Sequence, residues 1–172
     1  IVTYQGGQLA VAHNGNLVNA QALKDELEAT GAIFQSDSDT EVLIHLIARS
    51  KAPTLVGRIT EALRRVDGAY SLLFLTDERL VAVRDPHGFR PLVLGKLRNA
   101  WVLASETNAL DLIEAEFIRE IEPGEMIVID GNGLTSQKPF APARLGRCVF
   151  EHIYFARPDS VLFGSSMYEV RK

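Results

Sequence analysis

Residues 9–20 read LAVAHNGNLVNA. Four small apolar residues, Leu9 to Ala12, run straight into His13-Asn14-Gly15-Asn16, so an apolar strand ends in a dense cluster of hydrogen-bonding groups. Asn and Gly both tolerate positive φ, which predicts a sharp turn after a buried strand. Such a turn either simply reverses the chain or aims a backbone N–H outward beside the Asn14 side-chain amide. Two fixed donors converging on one point make an oxyanion hole. On these residues alone both readings stay open.

Working outward, Asn19 reads as the cap of a helix that carries Leu23 and Leu27 on one face and ends at Gly31. Ser38-Asp39-Thr40-Glu41 has the spacing of a capping box, and Val42, Leu43, Leu46 and Ile47 line one face of the helix it opens. A third helix carries Leu55, Ile59 and Leu63, with Val66 continuing the stripe until Asp67-Gly68 breaks it. The period then changes. Segments 69–76 and 80–84 read as strands paired around Asp77-Glu78. Segments 92–95, 101–105, 125–129 and 134–138 continue at the spacing of an antiparallel meander. A short helix over 106–113 interrupts it, and Asp130-Gly131-Asn132-Gly133 predicts a hairpin turn. Helices first and strands later predict an α+β domain.

The 172 residues suffice for one domain with a substantial core. Net charge is −4, and no basic stretch suggests a nucleic-acid or membrane surface. The longest apolar run, about 69–75, is far short of a membrane span. A single cysteine, Cys148, excludes a disulfide within the chain and points to a reducing compartment, so a cytoplasmic location is expected. The chain starts without Met, resembles no signal peptide, and stops at MYEVRK, a helix-like stretch with no cap after it. Both ends read as cut, so a piece of a longer protein is expected.

Two further clusters carry chemistry. Asp39, at a helix start, serves the helix dipole or faces a cleft where it holds a substrate ammonium. Asp85-Pro86-His87-Gly88-Phe89-Arg90-Pro91 reads as a rigid loop, its charges taken as structural. The four histidines show no zinc-ligand spacing, and Cys148 reads as a small buried hydrophobe. No phosphate-binding glycine loop or nucleophile elbow occurs. These signals alone name no reaction.

Taken in order, however, AHNGNLVNA, SDTEVL, DGAYSLLFL, DPHGFRPLVLG, ASETNALD, EIEPGEMIVI and EHIYFARPDS resemble the glutaminase domain of the amidophosphoribosyltransferase family along essentially the whole chain. The first two motifs are shared with other class II amidotransferases, whereas DPHGFRPL and YFARPDS are more specific. The resemblance implies an Ntn-hydrolase fold, a four-layer αββα sandwich, here lacking its N-terminal part. It implies that Asn14, by its side-chain amide, and Gly15, by its backbone N–H, hold the oxyanion formed at the glutamine δ-carbonyl. Asp39 would bind the α-ammonium of glutamine. Tyr154, Arg157 and Asp159 would couple this domain to a phosphoribosyltransferase domain. Residues 1–160 would form the glutaminase domain and 161–172 the lead-in to the next.

The family's nucleophile is a cysteine at the mature N-terminus whose own α-amino group is suited to act as base. Position 1 here is isoleucine, and Cys148 lies far along the chain, so the attacking residue is expected upstream and this chain alone is expected to be inactive. Cys148 also matches the position of a 4Fe–4S ligand in iron–sulfur members, although cluster-free members have Cys there too. One cysteine cannot hold a cluster, so it would form only in the full-length protein. Magnesium would accompany phosphoribosyl pyrophosphate in the transferase domain, and the parent is expected to be a homo-oligomer. Two rival readings are a sugar-phosphate amidotransferase, against which DPHGFRPL and YFARPDS argue, and a non-catalytic glutamine-binding or assembly module.

Overall fold

The structure, a computed structural model, describes residues 2–4 and 7–172. Ile1, the first residue of the expected 1–160 domain, lies outside the described residues, as do Gln5 and Gly6. Strands β1 (Val2–Tyr4) and β2 (Gly7–Leu17) lead into helices α1 (Ala20–Ala29), α2 (Asp39–Arg49) and α3 (Leu55–Leu63). Strands β3 (Gly68–Leu75), β4 (Leu80–Arg84), β5 (Val93–Leu97) and β6 (Ala100–Ala104) follow, then helix α4 (Thr107–Asp111). Next come β7 (Glu116–Glu120), β8 (Met126–Asp130), β9 (Gly133–Gln137) and a π-helical turn, Glu151–Phe155. A small hairpin, β10 (Val161–Leu162) and β11 (Ser165–Ser166), precedes α5 (Met167–Val170).

Among the described residues the larger sheet has the order β1-β2-β3-β4-β8-β9, and β6-β5-β7 form a second sheet. Every pairing is antiparallel. Leu23 and Leu27 of α1, Val42, Leu43, Leu46 and Ile47 of α2, and Ile59 and Leu63 of α3 pack with Leu72, Phe74, Val81 and Val83 on one face of the larger sheet. The opposite face gives Leu73, Ala82, Ile127 and Ile129 to a second core, shared with Leu92, Leu94, Trp101 and Leu103. On the far side of the smaller sheet, Leu110 of α4 packs with Val93, Val102 and Ala104. The layers are therefore helices, sheet, sheet, helix, as the αββα expectation requires. Alternating side chains on β4 and β8 feed two different cores, which is why those strands read as continuous apolar runs.

Four local expectations are corrected. The chain does not turn at His13-Asn14-Gly15-Asn16: β2 runs through it, pairing Asn14 with Ser71, Gly15 with Tyr70 and Leu17 with Gly68. The eight-residue partner strand supplies a ladder longer than the apolar run, and the ladder outweighs local turn propensity. Asn19 makes no side-chain cap; it accepts from the Asp67 N–H (2.9 Å) and donates to the Arg65 carbonyl (2.9 Å), tying the start of α1 to the end of α3. The Ser38 hydroxyl does cap α2, accepting from the Thr40 N–H, but Glu41 reaches back to the N–H groups of Gln35 and Ser36 instead of Ser38. The strands after β4 are no single meander: β4 pairs with β8, and β5 opens a separate sheet with β6 and β7. Sequence pattern gives no sign of strand β7, because FIRE within it is half polar and largely exposed. No helix among the described residues is long and apolar enough to cross a membrane.

Candidate functional site

The paired residues Gly15 and Tyr70 face away from each other in hydrogen bonding, because the Tyr70 carbonyl is already taken by the Asp85 N–H (2.9 Å) on the far side of β3. The Gly15 N–H therefore lies on the β2 edge opposite β3. Among the described residues β1 pairs with that edge alongside residues 7–9. Two residues on, the Leu17 N–H uses the same edge to donate to Asp39 Oδ2 (2.9 Å). The Gly15 N–H and the Leu17 N–H that holds Asp39 thus share one strand edge, about 7 Å apart along the strand.

Successive side chains of β2 alternate between faces. His13 faces the helices, where its Nδ1 lies 3.0 Å from the Thr40 hydroxyl and 3.4 Å from Asp39 Oδ1. Burial lowers the His13 pKa below the usual imidazole value, Asp39 pulls it back up in part, and Arg90 lowers it further. Asp39 accepts hydrogen bonds from the Leu17 N–H and the Thr40 hydroxyl, and His13 Nδ1 lies 3.4 Å from its Oδ1. A carboxylate offers about four lone-pair positions, which leaves room for a substrate donor. The side chain remains 24% exposed.

Asn14 faces the other sheet. Its Oδ1 accepts from Arg90 Nη2 at 2.5 Å, and its Nδ2 donates to the Ser105 hydroxyl at 3.0 Å. Arg90 and Ser105 are site residues that sequence reasoning misses, although each sits in a landmark motif. The charges of 85–91 read as structural, and for Asp85 that holds. Its buried carboxylate accepts the N–H groups of Tyr70, His87, Phe89 and Arg90. Arg84 completes the loop by donating to the carbonyls of Gly88 and Arg90. Together the two hold the loop so that Arg90 reaches Asn14.

Segment 144–148 is fastened to this loop. The Arg144 carbonyl meets His87 Nδ1 at 2.8 Å, Gly146 N–H donates to the His87 carbonyl at 2.9 Å, and Cys148 N–H donates to the Phe89 carbonyl at 3.3 Å. A methyl on Gly146 would sit 2.4 Å from the Phe89 ring, so this close approach requires glycine. Cys148 consequently lines the same depression, about 750 Å³, as Gly15, Ala69, Arg90, Phe150 and Phe155. Its distance along the chain is no guide to its place in space. Among the described residues no three His, Cys, Asp or Glu side chains are arranged to hold a metal ion. One thiol supplies a quarter of a four-cysteine set, so these residues do not by themselves fit an iron–sulfur cluster or a magnesium site.

Of the expected coupling residues, Tyr154 is exposed, and Arg157 pairs with Asp159 (3.1 Å) at the surface. Their segment is docked on the start of α4. Glu106 accepts from the Arg157 N–H and the Ser160 hydroxyl, both at 2.8 Å, Thr107 accepts from the Val161 N–H, and Asn108 donates to Asp159. The neighbouring residue, Ser105, is the one that touches Asn14.

A family profile described as a glutamine amidotransferase domain matches residues 1–112. Amidophosphoribosyltransferase 2, chloroplastic, of Arabidopsis thaliana is 53% identical over 172 residues, covering 99% of this chain and 31% of the relative. The amidophosphoribosyltransferase of Bacillus subtilis is 47% identical over 166 residues, covering 96% of this chain and 35% of the relative. The chain thus spans about a third of the length of the curated relatives it matches. Among solved structures, glutamine phosphoribosylpyrophosphate amidotransferase from B. subtilis, complexed with ADP and GMP, superposes with a TM-score of 0.94 at 45% identity. That match covers 98% of this chain and 37% of the other, and it places the four layers among the Ntn hydrolases.

Proposed function

The chain belongs to the glutamine amidotransferase domain family, and from that premise we propose that it is the glutamine-hydrolysing part of an amidophosphoribosyltransferase. The whole protein would release ammonia from glutamine and pass it to phosphoribosyl pyrophosphate, giving 5-phosphoribosylamine in the first step of de novo purine biosynthesis. One observation carries this reading: the held Asn14 amide, the outward Gly15 N–H and the Asp39 carboxylate gather on one stretch of β2.

In the proposed reaction a thiolate adds to the δ-carbonyl carbon of glutamine, and the carbonyl oxygen becomes an oxyanion. Asn14 Nδ2–H and Gly15 N–H stabilise that charge, and Asp39 holds the α-ammonium of the substrate. Collapse expels ammonia, with the proton taken from the thiol returned to the leaving nitrogen, and leaves a thioester. Water then cleaves the thioester to glutamate and free thiol. The nucleophile needs a free α-amino group as its base. Cys148 does not qualify, because its α-nitrogen is a peptide N–H donating to Phe89. The 172-residue chain alone is therefore expected to turn over no glutamine. We assign residues 1–160 to the glutaminase domain and 161–172, with their own small cluster of Leu162, Phe163 and Met167 against Ala156, to the lead-in to a transferase domain. Magnesium would serve the pyrophosphate substrate in that second domain.

The test is steady-state kinetics of the full-length protein with glutamine, and with ammonium salt as a nitrogen source that bypasses glutamine hydrolysis. Asn14→Ala should lower glutamine-driven kcat about 100-fold or more and leave the ammonia-driven rate in place. Asp39→Asn should chiefly raise the glutamine KM. Wild-type glutamine turnover in Asn14→Ala would overturn the assignment of Asn14, and turnover by the 172-residue chain that Asn14→Ala abolishes would overturn the expectation that this chain is inactive alone.

A further inference from the structure

The Asn14 amide has almost no freedom. A carboxamide is planar, with one acceptor oxygen and two N–H donors. Arg90 holds the oxygen at 2.5 Å and Ser105 takes one N–H at 3.0 Å, which fixes the plane and leaves the second N–H. A half-turn of that amide would present an acceptor where a developing oxyanion needs a donor. Nothing in the side chain itself prevents the half-turn, so its holders decide it.

Arg90 is in turn held from a second place. Its Nη1 lies 2.9 Å from Oε1 of Glu151, whose side chain is only 4% exposed, and its guanidinium sits 5.0 Å from the centre of the Phe155 ring. Glu151 and Phe155 are the two ends of the π-helical turn, a rare backbone form that concentrates at functional sites. Ser105 has a parallel tie to the same stretch, since the next residue, Glu106, holds Arg157 and Ser160. Arg90 is thus fastened to residues 151–160 directly, and Ser105 is linked to them only through its neighbour Glu106.

We propose that Arg90 is a positioning residue for glutamine hydrolysis: it fixes the donor face of Asn14, and its grip depends on the Glu151–Phe155 turn. This rests on the assignment of Asn14 to the oxyanion hole. Arg90 acts through Asn14 and contacts no reacting atom, so its loss moves kcat for glutamine without moving the binding of glutamine.

The experiment uses the full-length protein and the variants Asn14→Ala, Arg90→Lys, Arg90→Gln, Glu151→Gln and the double variant Arg90→Gln/Glu151→Gln, each assayed with glutamine and with ammonium salt. Arg90→Gln is expected to lower glutamine-driven kcat about 100-fold, with glutamine KM and the ammonia-driven rate within about threefold. The double variant removes the unpaired buried carboxylate that Arg90→Gln leaves behind, so it guards against simple misfolding. It is expected to stay as slow with glutamine as Arg90→Gln. Arg90→Lys, which keeps the charge but not the two-armed reach, is expected to be slowed as well, and Glu151→Gln to be slowed less. Glutamine rates that return to normal in the double variant would make Arg90 merely the counterion of Glu151 and overturn the inference. Parallel loss of both nitrogen sources would do the same. An impaired Asn14→Ala beside normal Arg90 variants refutes the role of Arg90 alone, whereas a normal Asn14→Ala refutes the site assignment and this inference with it.

Discussion

Gly15 sits so close to the partner strand that a methyl group on it would lie 2.0 Å from the Ala69 carbonyl oxygen. Its φ of 157° adds strain for any other residue. The requirement is therefore close approach of two strands at the point where the Gly15 N–H faces outward. Gly15→Ala must push β2 from β3 there, and neither backbone can yield without breaking ladder bonds. The expected cost is about 3 kcal/mol or more of stability, together with loss of glutamine turnover. Chemical denaturation of the variant beside wild type checks this, and a variant with unchanged midpoint would show that the strands can part. The HNGN run announces the importance of this residue, but for the wrong reason. Turn propensity and close strand approach select the same amino acid, and sequence alone does not separate them.

At the scale of elements, Glu125 ties the two sheets together. It precedes β8 in the larger sheet, accepts from Arg119 of β7 in the smaller one (2.6 and 2.9 Å), and also takes the Ser136 hydroxyl of β9 and the Glu122 N–H. Burial pushes its pKa up, but these hydrogen bonds and the Arg119 charge outweigh burial and hold it down at about 2. A folded value below the unfolded 4.5 means the carboxylate stabilises the fold above about pH 4.5, and this contribution is lost as pH falls through about 2. Arg119 is 39% exposed, so solvent screening reduces the contribution to roughly 1–2 kcal/mol. Glu125→Gln should lose that much at pH 7, and the gap between wild type and variant should close on acidification towards pH 2. Urea unfolding of both proteins across that range measures the gap, and a gap independent of pH would refute the ionic origin. The elements themselves are unevenly legible. The apolar stripes of α2 and α3 and the hairpin at 130–133 are plain because each is set by local pattern. The division of the strands into two sheets is not, because alternation says which side chains are apolar and nothing about which strand pairs with which. Arg90 and Ser105 are hidden for the same reason: each reaches Asn14 across the gap between sheets, from 76 and 91 residues away.

For the whole molecule, the four layers leave one face unlike the rest. Val149, Phe150, Ile153, Tyr154 and Phe155 are all 45–61% exposed, and Phe150, Tyr154 and Phe155 stack on one another with ring centres 4.7–6.0 Å apart. Tyr168 and Val170 of α5 are exposed as well, and Arg171 fastens the end of α5 to the turn through the carbonyls of Glu151, His152 and Ala156. Scattered apolar residues on a surface need no explanation, but a contiguous aromatic cluster favours association over hydration. The 172-residue chain is therefore expected to self-associate as its concentration rises from a few to some hundred micromolar. Ile153→Lys combined with Tyr154→Ser places a charge and a hydroxyl in that face without touching a buried cluster. The double variant should shift the association to higher concentration and leave the unfolding midpoint at low concentration unchanged. Sedimentation velocity over that range decides the matter. A wild-type chain that stays monomeric would mean the stacked rings satisfy one another, and a variant that associates as strongly as wild type would place the contact on another face of the sandwich.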